Sequence, residues 1–155
     1  MVKKVLFFIV AVLLFAACSN RTVFSDYTEL DGGVWATDKS FAFNVEIEDT
    51  AASYEIDLML RNTDVFPRQN LWLKVEQEHN GHPISVDTLN IFLLDHNGKW
   101  IGKGLCSKYD NEFIWKQQVR FPEKGSYIFR FSQLMRIQVL EGIENIGIEV
   151  IKEKK

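Results

Sequence analysis

Phe41-Ala42-Phe43-Asn44-Val45-Glu46-Ile47 is the stretch that decides the fold. Its period is two rather than 3.6. Phe41, Phe43, Val45 and Ile47 share one face of an extended chain, while Ala42, Asn44 and Glu46 occupy the other. That is the pattern of a half-buried β-strand with one wet face.

The same period returns along the rest of the chain. After the polar turn Glu48 to Ser53, Tyr54, Ile56, Leu58 and Leu60 alternate with Glu55, Asp57, Met59 and Arg61. Leu71, Leu73 and Val75 then alternate with Trp72, Lys74 and Glu76. Phe113, Trp115, Val119 and Phe121 form another set, Tyr127, Phe129 and Phe131 the next, and Ile146, Ile148 and Val150 the last. Ile91-Phe92-Leu93-Leu94 is apolar without a break, which predicts a strand covered on both faces. Asn80-Gly81 and Asn97-Gly98 supply the positive φ angles of tight turns. Pro67, Pro83 and Pro122 fall in predicted connections. The glycines between Gly98 and Gly104 predict a bulge or a close backbone approach, and a bend is expected between Gly142 and Gly147. A single helical turn is expected over Ser132 to Arg136. About seven or eight strands result, with turn signals every eight to fifteen residues, so the expected fold is an antiparallel all-β sandwich or jelly roll.

Upstream of this domain the pattern changes. Lys3 and Lys4 precede an apolar run from Val5 to Ala17, and Cys18 follows Ala16-Ala17. A basic start, a short apolar core and small residues before a cut site are the marks of an export signal. The run is too short to span a bilayer comfortably as a helix. The cysteine directly after the small residues is similar to a bacterial lipobox, in which the thiol receives a diacylglyceryl group. The expected organisation is a removed lipoprotein signal at residues 1–17, a lipidated N-terminus and tether at 18–33, and one β-sandwich domain at 34–155.

Cleavage before Cys18 removes two lysines and takes the formal net charge from −3 to −5. A mildly acidic, evenly mixed surface lacks the basic stripe that nucleic acid requires. It equally lacks a polybasic grip on lipid headgroups. Membrane attachment is therefore expected through the lipid, with more than one acyl chain needed for durable anchoring. Cys106 is the other cysteine and is expected half-buried in a strand.

Candidates for chemistry are few. His79 and His82 straddle an Asn-Gly turn and His96 lies in another, so no metal site is expected. Asp87, Asp95 and Asp110 are the acids considered for a glycoside-hydrolysing pair, which needs two carboxyls at a set separation. No nucleophile elbow, phosphate loop or Cys-x-x-Cys is present. No catalytic residue, cofactor or small-molecule ligand is expected. Trp72 differs from Trp35, Trp100 and Trp115, because its strand face otherwise shows Lys74 and Glu76. An exposed tryptophan on a β-sandwich offers a platform for a sugar ring, and Trp115 shares a period with core residues. The connection Arg61 to Asn70 is too long for a simple hairpin, which suits either an interaction loop or a crossover between sheets.

Several short motifs resemble the gliding-motility lipoprotein GldH family of Bacteroidota. They are Val23-Phe24-Ser25-Asp26-Tyr27 shortly after Cys18, and Leu60-Arg61-Asn62-Thr63 leading to Phe66-Pro67 and Asn70-Leu71. Gly98-Lys99-Trp100-Ile101-Gly102-Lys103-Gly104 follows, then Val119-Arg120-Phe121-Pro122 with Gly125-Ser126-Tyr127. Gln133-Leu134-Met135-Arg136 and Gly142-Ile143-Glu144-Asn145-Ile146-Gly147 complete the set. The resemblance implies a non-catalytic envelope lipoprotein that contacts other envelope proteins of the gliding and type IX secretion apparatus. Only Cys18 takes over a defined role, lipidation. Ser19-Asn20-Arg21-Thr22 lacks the acidic cluster similar to surface-export signals and the aspartate of inner-membrane retention. The expected location is the outer membrane, with the domain facing the periplasm.

Overall fold

The computed structural model describes residues 21–154. Cys18 and the preceding signal lie outside them. The elements in chain order are β1 (Thr22–Glu29), a 3-10 turn (Asp31–Gly33), β2 (Val34–Ala36), β3 (Ser40–Ile47), β4 (Tyr54–Thr63), β5 (Asn70–His79) and β6 (His82–Phe92). They continue with β7 (Lys103–Leu105), β8 (Lys108–Val119), β9 (Gly125–Gln133), β10 (Val139–Glu141) and β11 (Ile143–Lys152).

Two antiparallel sheets result, ordered β1-β11-β4-β8-β7 and β3-β9-β5-β6, with a short β2–β10 ribbon at one end. Counting only the eight long strands in chain order gives 1-8-3-6 facing 2-7-4-5, the order of a jelly roll. The period-two reading therefore carries through to an antiparallel sandwich. Inward residues of one sheet (Ile56, Leu58, Leu60, Ile146, Ile148, Val150) meet those of the other (Phe43, Val45, Leu71, Leu73, Val75, Phe129, Phe131), all of them buried. Trp115 of β8 packs edge-to-face on Phe129 and Phe131, at 5.9 and 6.3 Å between ring centroids.

The two ends close differently. At one, Tyr54 meets Phe121 edge-to-face at 5.3 Å and Phe121 meets Tyr127 at a tilt, 4.5 Å apart. Their hydroxyls turn outward, Tyr54 donating to the Asp49 carbonyl and Tyr127 to that of Glu123. At the other, Trp35 is fully buried, donates its indole N–H to the Lys39 carbonyl and meets Phe41 edge-on.

Several expectations are corrected. Residues 22–29 are not a tether but the edge strand β1, paired with β11 along its length. The Thr22–Glu29 stretch shows no apolar period because an edge strand on a sheet's rim buries little. Ser132 to Arg136 makes no helical turn. The buried Gln133 side chain accepts the Met135 N–H at 2.7 Å and donates to the Ile137 carbonyl at 3.1 Å, while the Leu134 N–H goes to Trp72 O. Those partners replace a helix ladder. Ile91 to Leu94 is not covered on both faces, since Ile91 and Leu93 are buried while Phe92 is half exposed. Pro83 lies inside β6, near its start, where the free edge of the sheet requires no donor. Between Lys99 and Ser107 the one strand is Lys103–Leu105. A Cβ on Gly104 would collide with the Lys108 carbonyl, which is the close approach its glycine predicts. Gly147 lies within β11, under Tyr27 of β1, and not in a bend.

Gly142 joins β10 to β11 with φ +87, and a Cβ there would sit 2.5 Å from the Phe66 amide nitrogen. Gly98 has φ +76 but open space around it. Gly142→Ala should therefore lose at least about 2 kcal/mol and Gly98→Ala only about 1 kcal/mol, because strain adds to a clash only at the first. Urea unfolding of both variants checks this; equal losses would count against the packing described.

Candidate functional site

The outward residues of β4 are Glu55, Asp57, Met59 and Arg61, and β4 is the middle strand of its sheet. Register sets their neighbours. Asp57 lies between Glu149 of β11 and Ile114 of β8, Met59 between Gly147 and Glu112, and Arg61 between Asn145 and Asp110. Tyr27 of β1 stands opposite Gly147, whose missing side chain leaves room for it. This outer face holds a concavity of about 650 Å³, lined among others by Tyr27, Asp57, Met59, Lys103, Glu112 and Ile114.

Its charges are not balanced at the centre. Arg61 is engaged by Asp110 in a two-pronged pair, Nε to Oδ1 at 2.6 Å and Nη2 to Oδ2 at 3.1 Å. Glu55 accepts from Gln117 and Glu149 from Thr22. Asp57 is only 3% exposed, and its Oδ1 has no hydrogen-bond partner. Burial first, then the charges of Glu55, Glu112 and Glu149, push its carboxyl up to about 6. Glu112 is close enough to share a proton with it. The cluster holds a proton under mildly acidic conditions and carries surplus negative charge above them.

A second concavity, about 580 Å³, lies beside Trp72 and is lined by Arg68, Leu134, Met135, Arg136 and Ile137. Trp72 is 42% exposed, whereas Trp35 is buried, Trp115 packs on the core and Trp100 stacks on Tyr109 at 5.2 Å.

The acids considered for a hydrolytic pair are not brought together. Asp87 pairs with Lys116 across the two sheets at 2.6 Å, Asp95 accepts the Asn97 and Lys99 amides in its turn, and Asp110 holds Arg61. His79 is not solvated: its ring stacks on Tyr127 at 4.2 Å and bonds Ser126 O, while His82 and His96 are exposed. Among the described residues no group of three His, Cys, Asp or Glu could hold a metal ion. Cys106 is not a half-buried strand residue. It is exposed at φ +61, the first residue of the two-residue turn between β7 and β8. Asp57 and Glu112 were not singled out by sequence. Their signal was present, since both sit at outward positions of alternating strands, but nothing in sequence says that β4 is central.

Comparison with known proteins follows the same domain. The family model described as GldH lipoprotein matches residues 22–150, from the first residue of β1 into β11. The chain is 28% identical over 156 residues to a protein of Christiangramia forsetii named as a gliding motility lipoprotein GldH homolog, covering 96% of this chain and 95% of that one. It is 29% identical over 147 residues to the gliding motility lipoprotein GldH of Flavobacterium johnsoniae, covering 90% of each.

The Asp57 carboxyl makes a pH prediction. Below its ordinary value of 3.8 the group is protonated in both folded and unfolded chains. As pH rises from there to about 6, the unfolded chain releases the proton first, so this group's contribution to stability falls across that window. The loss is of order 1–3 kcal/mol. Asp57→Asn removes the group, so at neutral pH it should unfold at higher denaturant than wild type, with the advantage vanishing toward pH 3.8. Denaturation midpoints of the two proteins across that range check it. A difference that does not vary with pH would refute the assignment.

Proposed function

The chain belongs to the GldH lipoprotein family, and from that membership we propose that it is a non-catalytic, lipid-anchored envelope protein serving as an accessory or scaffold of the gliding and type IX secretion apparatus. The observation that carries the reading is the family match itself, which takes in nearly the whole described sandwich. Support for a role without chemistry comes from the relatives' names, which speak of gliding motility and of a lipoprotein and of no reaction.

Cys18 is the proposed lipidated residue, residues 1–17 the removed signal, and β1 to β11 one β domain. Because β1 begins at Thr22, the anchor and the fold are close neighbours. Four residue steps span at most about 14 Å when fully extended. On this reading the end of the sandwich bearing the Glu48 to Ser53 turn and the Asn80-Gly81 hairpin faces the bilayer, and the β2–β10 ribbon points away from it. The proposed location is the inner leaflet of the outer membrane. Partner contact then falls to the exposed sides. β6 is a free edge strand of 11 residues carrying exposed Ile84 and Val86, and free edges accept strands from other chains. The Asp64–Gln69 connection crosses from the first sheet to the second.

A glycan-binding role has one observation in its favour, the exposed Trp72 flanked by Arg68 and Arg136. Stacking of a sugar on that ring should disappear in Trp72→Ala, and a glycan array without a single positive spot removes this alternative.

Cys18→Ala should leave the protein out of the membrane fraction while its β-sheet circular dichroism is unchanged. Tagged wild-type protein recovered from native membranes should bring envelope proteins with it; recovery of the protein alone speaks against a scaffold. Deletion of the gene, scored for spreading on agar and for secretion of type IX substrates, is expected to impair at least one. Cleavage of the domain by protease on intact cells would overturn the periplasmic placement.

A further inference from the structure

We propose that the concavity on the outer face of the first sheet receives a lysine or arginine side chain from a protein partner, with Asp57 at its floor and Tyr27, Met59 and Ile114 as its walls. This deepens the scaffold reading and rests on it only for the origin of the side chain.

The argument starts from Asp57. A buried carboxyl oxygen without a donor is costly, and more so when the group is charged. Its oxygen Oδ1 is unpartnered although the residue is 97% buried, being 3% exposed. Every charged neighbour that shifts it has the same sign, Glu55 along β4, Glu112 on β8 and Glu149 on β11. The nearest guanidinium, Arg61, is taken up by Asp110, and Lys116 reaches away to Asp87. The fold thus builds an acceptor on which no cation acts among the described residues, although Lys103 also lines the concavity. A cationic donor arriving from outside completes the site with a charge-assisted hydrogen bond, the stronger class.

The walls select the kind of cation. Met59 is partly buried, while Ile114 and Tyr27 are each 60% exposed. An alkyl stem can lie along Met59 and Ile114, and the Tyr27 ring can face the charged head. A hard metal ion would want six or more oxygen ligands, and the described acids form no metal-holding group of three. A volume of about 650 Å³ is ample for one long side chain and its flanking backbone.

The chain's methionines provide the test. They are Met1, Met59 and Met135, so signal removal leaves one methionine in this concavity and one beside Trp72. Mature lipoprotein in detergent micelles, carrying 13C-methyl methionine, is titrated with N-acetyl-arginine amide, N-acetyl-lysine amide, N-acetyl-glutamine amide and calcium chloride. The two cationic compounds should shift the Met59 methyl signal saturably and leave Met135 in place. Asp57→Asn should weaken the effect at least tenfold, and the exposed Glu112→Gln, which carries no risk to the core, about threefold. Sodium chloride should weaken it as well, since exposed charges are screened. An unmoved Met59 signal, a shift equal in wild type and both variants, or a response to calcium but to neither cation would each overturn the proposal. The titration uses no envelope protein, so its failure leaves a positive membrane pull-down standing. An empty pull-down with a positive titration would remove the scaffold and keep the site.

Discussion

Phe129 and Phe131 of β9 packing edge-to-face against Trp115 of β8 tie the two sheets across the middle of the sandwich. Each sheet alone has one apolar face and would expose it. Burial of that apolar surface is what chiefly holds such a pair together, at roughly 25 cal/mol per Å² removed from water. Because the side-chain period is two, a one-residue slip of any strand would turn its whole apolar set to solvent. Register is therefore fixed by the same contacts that hold the sheets. With register fixed, the identity of every outward residue is fixed too, including the row Tyr27, Met59 and Glu112.

At the Trp35 end of the sandwich a polar side chain takes over beside the aromatic closure where the sheet ladder stops. Gln133 is that side chain, buried yet bonded through both ends of its amide to the chain around it. Losing the bonds at either end would leave a buried amide group unsatisfied. Glycine does the complementary work where backbones meet, as at Gly142 over Phe66 and Gly147 under Tyr27.

The β class, the tight turns at Asn80-Gly81 and Asn97-Gly98 and most inward residues were legible in the sequence, because alternation reports directly on which face is buried. What was not legible depended on neighbours. Thr22 to Glu29 looked like a tether because a rim strand needs no apolar period, and its partner β11 lies at the far end of the chain. Ser132 to Arg136 had a helical look that the Gln133 amide overrode. Cys106 sat in a predicted strand whose hairpin tip could not be placed. Of the candidate site, Asp57 was visible only as one polar residue in an alternating run. Its burial comes from strands β11 and β8 on either side, a fact of sheet order.

That burial is informative because the fold had cheaper options. An asparagine or an apolar residue of similar size at position 57 would pack in the same space without a charge to desolvate, and replacing buried charges in this way is often stabilising. Arg61 stands two outward positions away on the same strand, near enough in sequence to have been arranged as a partner, yet it forks onto Asp110 instead. Thr22 and Gln117 likewise satisfy Glu149 and Glu55 and leave Asp57 only another acid, Glu112, within reach. A carboxyl kept without a cationic partner in the middle of a central strand, one of its oxygens unbonded, is a cost borne by the free protein and relieved on binding a cation. Stability and recognition are opposed at this one residue, and the opposition is what separates a recognition site from ordinary surface acidity.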